Sequence, residues 1–263
     1  MNKLYVISTG AGGLAYLSSE ALLALNECEV VVSYRKYAKE LSSLIEGKEL
    51  YMSGMTKEID RCNQAIEFAK SGKTTCIISN GDANVYGMSS LIVELLDENS
   101  LWDEVDLEVI PGITAFLAAA AKVGAPISGD FSIISLSDKL TDINLIKKRV
   151  DLALEGDFVL GIYNPKSRKR IQPYLNFLES LKKYDKRVCV IASNIGRESK
   201  EKIVITDTKK LISQNLENPD ISMSTLLIIG NSTTKLTKNG MVLTPRGYMN
   251  KYNLKGELKS DLS

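Results

Sequence analysis

Histidine is absent from all 263 residues. That removes Ser-His-Asp triads, histidine zinc sites and the commonest general base in one step. Chemistry falls to carboxylates, Lys, Tyr, Cys or backbone dipoles, or needs little proton transfer. Cysteine is sparse: Cys28, Cys62, Cys76 and Cys189 are scattered, without the spacing of a disulfide framework, an iron–sulfur site or a zinc site, and no metal is expected. Cys76 and Cys189 lie in strand-like runs and read as buried thiols, a reduced, cytoplasmic pattern. No apolar run is long enough to span a bilayer, and the first, Leu4 to Ile7, is too short for a signal peptide, so no membrane partner is expected. A dominant charge is also missing. Lys and Arg number 33 against 32 Asp and Glu, a net charge of +1, so nothing in the bulk electrostatics points to nucleic acid.

What is present is an alternation of strand and helix patterns. Strands read at Leu4–Thr9, Val30–Ser33, Thr74–Ile78 and Leu107–Ile110. Helices read at Ser18–Leu25, with Ser18 as N-cap, and at Lys36–Ile45, Thr56–Lys70, Met88–Leu96 and Ala115–Val123. The alternation implies crossover connections and a largely parallel sheet. Gly124-Ala125-Pro126-Ile127-Ser128-Gly129 punctuates the chain near its middle and predicts a boundary between domains 1–126 and 127–263. Beyond it, strands read at Phe131–Leu136, Phe158–Tyr163, Arg187–Ser193, Ile203–Thr206 and Leu226–Ile229, with helices at Leu145–Leu154, Ile171–Leu181 and Thr208–Asn215. The lysine-rich tail after Tyr248 reads as loose.

Glycine-rich turns follow three strands of the first half, where open α/β sheets bind ligands. The turn Ser79-Asn80-Gly81-Asp82-Ala83-Asn84-Val85-Tyr86-Gly87 is not a phosphate loop, because no Gly-Lys-Ser/Thr follows it. The turn Ser8-Thr9-Gly10-Ala11-Gly12-Gly13-Leu14-Ala15 carries a G-x-G-x-x-A pattern. Strand two nevertheless ends Val32-Ser33-Tyr34-Arg35, without the acid that would hold a ribose hydroxyl, which disfavours a nicotinamide-dependent dehydrogenase. Pro111-Gly112-Ile113-Thr114-Ala115 forms the third turn, with Thr114 placed to cap a helix. Cations cluster at Lys147-Lys148-Arg149 and across Lys166, Arg168, Lys169 and Arg170. Solvated surface is the ordinary meaning of such runs; a ligand with several carboxylates is the functional one.

Together these strings resemble the tetrapyrrole methylase superfamily over about Lys3 to Tyr248. Ser8 to Gly12 stands where that family has G-x-G-P-G, Gly81 to Gly87 matches its G-D-P-x-x-Y-G, and Pro111 to Ala115 its P-G-x-T-A. Ile134-Ser135-Leu136-Ser137-Asp138-Lys139-Leu140-Thr141 resembles the I-S-L-S-D-x-L-T of the corrin C17-methyltransferases. Tyr163-Asn164-Pro165 with Ser167 and Arg170, Ile229-Gly230-Asn231-Ser232 with Thr234, and Thr244-Pro245-Arg246-Gly247-Tyr248 resemble further strings of that group. Departures are Ser8 and Ala11 in the first turn, Ser33 for a glycine before Tyr34, and Gly129 where relatives commonly carry histidine before the aspartate matched by Asp130.

The resemblance implies two α/β domains with a cofactor cleft between them, in a homodimer. It implies S-adenosyl-L-methionine bound by Gly81, Asp82, Ala83, Val85, Tyr86, Thr114, Ala115, Tyr163, Asn164, Asn194 and Thr225. Thr9, Gly10, Tyr34, Arg35 and Arg246 would face the tetrapyrrole, precorrin-3B or cobalt-factor III, with methylation at C17 and contraction of the ring. Asp82, Asp130, Asp138, Tyr34 and Lys36 are candidates for moving protons, and no catalytic residue is singled out. Arg35, Lys36, Lys166, Arg168 and Arg246 are candidate partners for the substrate's carboxylates. The alternatives are another methylase of the superfamily, including one acting on ribosomal RNA, and a non-catalytic nucleoside- or tetrapyrrole-binding protein.

Overall fold

The computed structural model describes residues 2–197 and 200–259. The chain divides into two compact units. One is built from residues up to Ala118 plus a short segment starting at Ile195, the other from Ala119–Asn194 and from Lys200 onward. The division falls ahead of the Gly124–Gly129 punctuation. Gly124-Ala125 pairs with Val242-Leu243 and so belongs with the second unit.

The first unit carries β1 (Asn2–Ser8), α1 (Ser19–Glu27), β2 (Val30–Tyr34), α2 (Arg35–Glu40), β3 (Glu49–Ser53), α3 (Glu58–Lys70), β4 (Thr75–Ser79), α4 (Ser89–Glu98) and β5 (Val105–Ile110). The helix α5 (Ala115–Val123) begins in it. Its five strands are all parallel, in the order β3-β2-β4-β1-β5. Alternate residues of β1 face opposite layers. Leu4 and Val6 pack with α3 and α4, and Tyr5 and Ile7 with α1 and α2. Helix α1 starts where the sequence predicts, with Ser18 Oγ accepting the Ala21 N–H at 3.0 Å. Helix α2 ends at Glu40 rather than Ile45, yet Leu41 and Ile45 stay buried in the same core. The strand β3, which hydropathy does not announce, forms the sheet edge.

The second unit carries β6 (Gly124–Ala125), β7 (Phe131–Ser135), α6 (Ile143–Glu155), β8 (Val159–Tyr163), α7 (Gln172–Leu181), β9 (Val188–Ser193), β10 (Lys202–Asp207), α8 (Thr208–Gln214), β11 (Thr225–Ile229), β12 (Lys235–Leu236), β13 (Val242–Leu243) and α9 (Tyr248–Lys251). Its main sheet runs β10-β9-β11-β8-β7 and corrects the expectation of parallel pairing. The pair β7–β8 alone is parallel, and the other three neighbouring pairs are antiparallel. Helices α6, α7 and α8 share one core around Tyr174, Phe177 and Leu160. The stretch expected to be loose after Tyr248 is ordered through Lys259 by α9 and by a bridge between Tyr252 and Leu258.

Candidate functional site

In the first unit, parallel register brings the carboxyl ends of β1, β4 and β5 together, Ser8 opposite Ser79 and Ile7 opposite Ile110. The turns leaving these ends are bonded into one rim. Gly10 N–H donates to Gly81 O at 3.0 Å and Gly81 N–H to Gly10 O at 2.7 Å. Thr9 N–H and Oγ1–H both donate to Ser79 O, at 2.9 and 3.3 Å. Ala83 N–H donates to Ser8 Oγ at 2.9 Å, so the serine that departs from the family's glycine ties the first turn to the second. Asp82 accepts Asn84 N–H on Oδ1 at 2.8 Å and Gly112 N–H on Oδ2 at 3.0 Å. Ser89 Oγ–H donates to Ala83 O at 2.7 Å and lies 2.8 Å from Asn84 Oδ1, fixing the start of α4.

The glycines are required by close approach. A Cβ on Gly112 would collide with the Gly81 carbonyl oxygen and lie 2.5 Å from Ser8 Cβ, and one on Gly10 would collide with the Tyr16 carbonyl. Gly81 has φ +74°, and its missing side chain faces Thr114 at 3.8 Å from Cα. Tyr86 holds a left-handed φ of 56°. Thr114 is buried and directly precedes α5, of which Ala115 is the first residue. The structure therefore gathers Thr9, Gly10, Gly81, Asp82 and Ala83, with Thr114 facing Gly81. Asp82, named as a proton handler, has both carboxylate oxygens engaged in holding the turns.

Beside this rim lies a cavity of about 240 Å³ lined by Tyr34, Tyr37, Tyr86, Arg61, Asn80 and Met88, among others. Tyr34 and Tyr37 meet edge to face with centroids 5.2 Å apart, and burial pushes the Tyr37 hydroxyl pKa up. Arg35 and Lys36 are exposed and do not line the cavity. Sequence reasoning missed Arg61, on the first turn of α3 and 4% exposed. It assigned no role to Arg197, which donates to Glu40 Oε1 at 2.9 Å and to Asn80 Oδ1 at 3.2 Å.

In the second unit, register places Ser135, Tyr163, Ser193 and Thr225 along one sheet edge. Asn164, at φ 50°, donates from Nδ2 to Ser135 Oγ at 3.0 Å. Asn194, also at φ 50°, donates its N–H to Ser224 O at 3.0 Å. Thr225 Oγ1 is 2.9 Å from Ser193 Oγ and 2.9 Å from Asp220 O. One expected substrate cation, Lys166, turns inward instead, as does Arg170 of the same cluster. Lys166 Nζ–H donates to Leu216 O at 2.5 Å and Asn218 O at 3.3 Å, and burial lowers its pKa. Arg170 donates to Leu136 O and to Asn164 O, bracing the Tyr163-Asn164-Pro165 turn. Asp138 lies 3.8 Å from Arg170 Nε. Asp130, Arg168 and Arg246 are exposed, and Arg246 makes no hydrogen bond or ion pair among the described residues. No group of metal-ligating side chains forms among the described residues, and no helix is long and apolar enough to cross a membrane.

Glycine turns knotted at the carboxyl edge of a parallel sheet, on a two-unit α/β chain, define a class. The chain belongs to the tetrapyrrole (corrin/porphyrin) methylases, whose family model matches residues 3–212. Within that class it is 43% identical over 256 residues, 95% of this chain and 100% of the relative, to a probable cobalt-factor III C(17)-methyltransferase of Methanocaldococcus jannaschii. It is 32% identical to a precorrin-3B C(17)-methyltransferase of a Sinorhizobium species, covering 93% of this chain and 96% of that one. Among solved structures, it is similar to the methyltransferase CobJ, with a TM-score of 0.85, 30% identity, and coverage of 93% of this chain and 100% of that chain.

Proposed function

We propose that this protein methylates C17 of precorrin-3B or cobalt-factor III, using S-adenosyl-L-methionine, and contracts the macrocycle in corrin biosynthesis. The observation that supports this reading most is the bonded rim of Thr9, Gly10, Gly81, Asp82, Ala83 and Gly112 in a chain so similar to C17-methyltransferases.

The residues fit such a cofactor. Gly81 leaves open space in front of Thr114 where any other residue would place a Cβ. Gly81, Asp82, Ala83, Val85, Tyr86, Thr114 and Ala115 of the first unit, and Tyr163, Asn164, Asn194 and Thr225 of the second, are the proposed binding residues. S-adenosyl-L-methionine supplies an already activated sulfonium methyl. The chain's task is then alignment, which is worth roughly 7–11 kcal/mol of barrier and needs neither histidine nor metal. A rim whose turns are bonded to one another provides that alignment without reordering on binding. Thr9, Gly10, Tyr34, Arg35 and Arg246 are the proposed macrocycle contacts. The reading includes a homodimer and a cytoplasmic setting, the latter supported by four buried free thiols.

Incubation with precorrin-3B, and separately with cobalt-factor III, tests the reading by mass spectrometry. One methyl mass must be gained from labelled S-adenosylmethionine, at C17 by nuclear magnetic resonance. The substrate that is turned over separates the metal-free from the cobalt-bearing route. Binding of both ligands without mass gain would leave a non-catalytic binder. Light scattering tests the dimer.

A further inference from the structure

The cavity beside the rim holds a buried cation with no bonded acid. Arg61 is 4% exposed. Its Nη1 donates to Ser53 Oγ at 2.7 Å and to Gly54 O at 3.2 Å, both neutral acceptors. The nearest carboxylate, on half-exposed Glu58, is 3.9 Å from Nη2, beyond hydrogen-bond reach. Buried charges are ordinarily paired, because desolvating one alone is costly. Arg197 in the same unit meets that rule at hydrogen-bond distance through Glu40, whereas Arg61 has only the long 3.9 Å ion pair with Glu58.

Nε and Nη2 of Arg61 form no hydrogen bond among the described residues. Neither is among the sealed unpaired atoms of the described residues, which are Asp151 Oδ1, Tyr174 Oη and Arg187 Nη1. Arg61 lines the cavity, and neither Nε nor Nη2 is sealed from solvent. The walls suit an amphipathic guest: Met55, Ile78 and Met88 are apolar, while Tyr34, Tyr37 and Asn80 are polar. About 240 Å³ admits a carboxylate arm and a ring edge, not a whole macrocycle.

We propose that Arg61 is the anchor for one carboxylate arm of the macrocycle, gripping it through Nε and Nη2 and so fixing which edge of the ring faces the rim. The inference rests on the substrate reading above. It adds a buried grip at Arg61 to the exposed Arg35 proposed above as a macrocycle contact. Two parallel N–H···O bonds to a carboxylate are a geometry that arginine offers and lysine does not. A carboxylate entering here displaces Glu58 toward water, which its half-exposed position permits.

The shared chemistry, a carboxylate, could also come from the amino-acid end of the cofactor, so the test has two arms. Cobalt-factor III and precorrin-3B are titrated by absorption and S-adenosylhomocysteine by calorimetry, on wild type, Arg61→Gln and Arg61→Lys. Arg61→Gln is expected to weaken macrocycle binding about tenfold or more, and Arg61→Lys by less, with S-adenosylhomocysteine affinity within about twofold of wild type. Unchanged macrocycle affinity in a folded variant overturns the proposal. So does a loss confined to S-adenosylhomocysteine. Since Nη1 also braces Ser53 and Gly54, a second measurement protects against misfolding of Arg61→Gln. The methyl-esterified macrocycle must bind wild type about tenfold more weakly than the free acid, and that penalty must shrink in Arg61→Lys; an equal penalty in both overturns the assignment. A wild-type protein that binds S-adenosylhomocysteine but neither corrinoid sinks the substrate reading itself. Tight wild-type binding that is indifferent to Arg61 sinks this inference alone.

Discussion

Asp82 Oδ2 accepts the Gly112 N–H at 3.0 Å, joining the turns after β4 and β5 although β1 lies between those strands. Its other oxygen holds the Asn84 N–H at 2.8 Å. An asparagine at 82 keeps one acceptor and sets an NH₂ against the other N–H. Asp82→Asn is therefore expected to lose about 1–3 kcal/mol in urea unfolding. It should also weaken S-adenosylhomocysteine binding in calorimetry. Unaltered values for both would mean that the joint between the turns is dispensable.

Gly112 is constrained by space. Its alanine Cβ would strike the Gly81 carbonyl and sit 2.5 Å from Ser8 Cβ, two atoms that cannot retreat without breaking the rim. Gly112→Ala should cost roughly 1–3 kcal/mol or more, by overpacking. Gly47→Ala makes the control. Gly47 also has positive φ (+79°), but no atom lies within 4 Å of the added carbon, so roughly 1–2 kcal/mol of backbone strain is the expected cost. Thermal melts rank the pair, and cofactor affinity should fall only for Gly112→Ala.

Burial pushes the Cys62 thiol up to about 12 from an ordinary 9.0. The native state then keeps its proton where the unfolded chain has released it. Stability from this group is complete below pH 9 and is lost as pH rises toward 12. Cys62→Ala should flatten the alkaline slope of urea midpoints measured from pH 8.5 to 10.5. All four cysteines are buried, so an aromatic disulfide reagent at pH 8 should label none quickly in native protein and all four after unfolding.

Arg170 and the exposed arginines Arg168 and Arg246 should separate on stability. Arg170→Ala strands the Leu136 and Asn164 carbonyls and is expected to cost about 1–3 kcal/mol for each acceptor left buried without a partner. Arg168→Ala and Arg246→Ala remove exposed side chains and should stay within about 0.5 kcal/mol. Equal midpoints for the three would dismiss the bracing role of Arg170.

In the first unit β1, β4 and β5 were legible because their apolar runs end in glycine-bearing turns, and β2 because Val30-Val31-Val32 is an apolar run between two helices. The strand β3 escaped because Glu49, Leu50 and Met52 are exposed on a sheet edge, which leaves little burial pattern to read. That omission hid Arg61, since it is Ser53 and Gly54, at the end of β3, that enclose it; on α3 alone it reads as a solvated charge. Helix α2 was overextended because Leu41 and Ile45 keep a helical spacing of apolar residues, although Ser42 and Ser43 form helix only weakly. Antiparallel pairing in the second unit was partly readable. Only eight residues separate Ser193 from Lys202, and so short a connection cannot return the chain in parallel. The placing of β11 between β8 and β9 is a tertiary choice, and no local pattern encodes it. The turns of the candidate site were visible as strings, whereas their mutual bonds through Ser8, Asp82 and Gly112 needed the register of the sheet.

The Gly10–Gly81 pair is an isolated antiparallel-type bridge set just past the last residues of the parallel β1–β4 ladder. Amide exchange at these two positions should thus be governed by opening of the whole sheet and not by local fraying, unlike the tip of an ordinary loop. A guest docking there meets masonry and not a curtain. Selection can then revise side chains along that edge, as Ser8 illustrates, while the backbone outline survives.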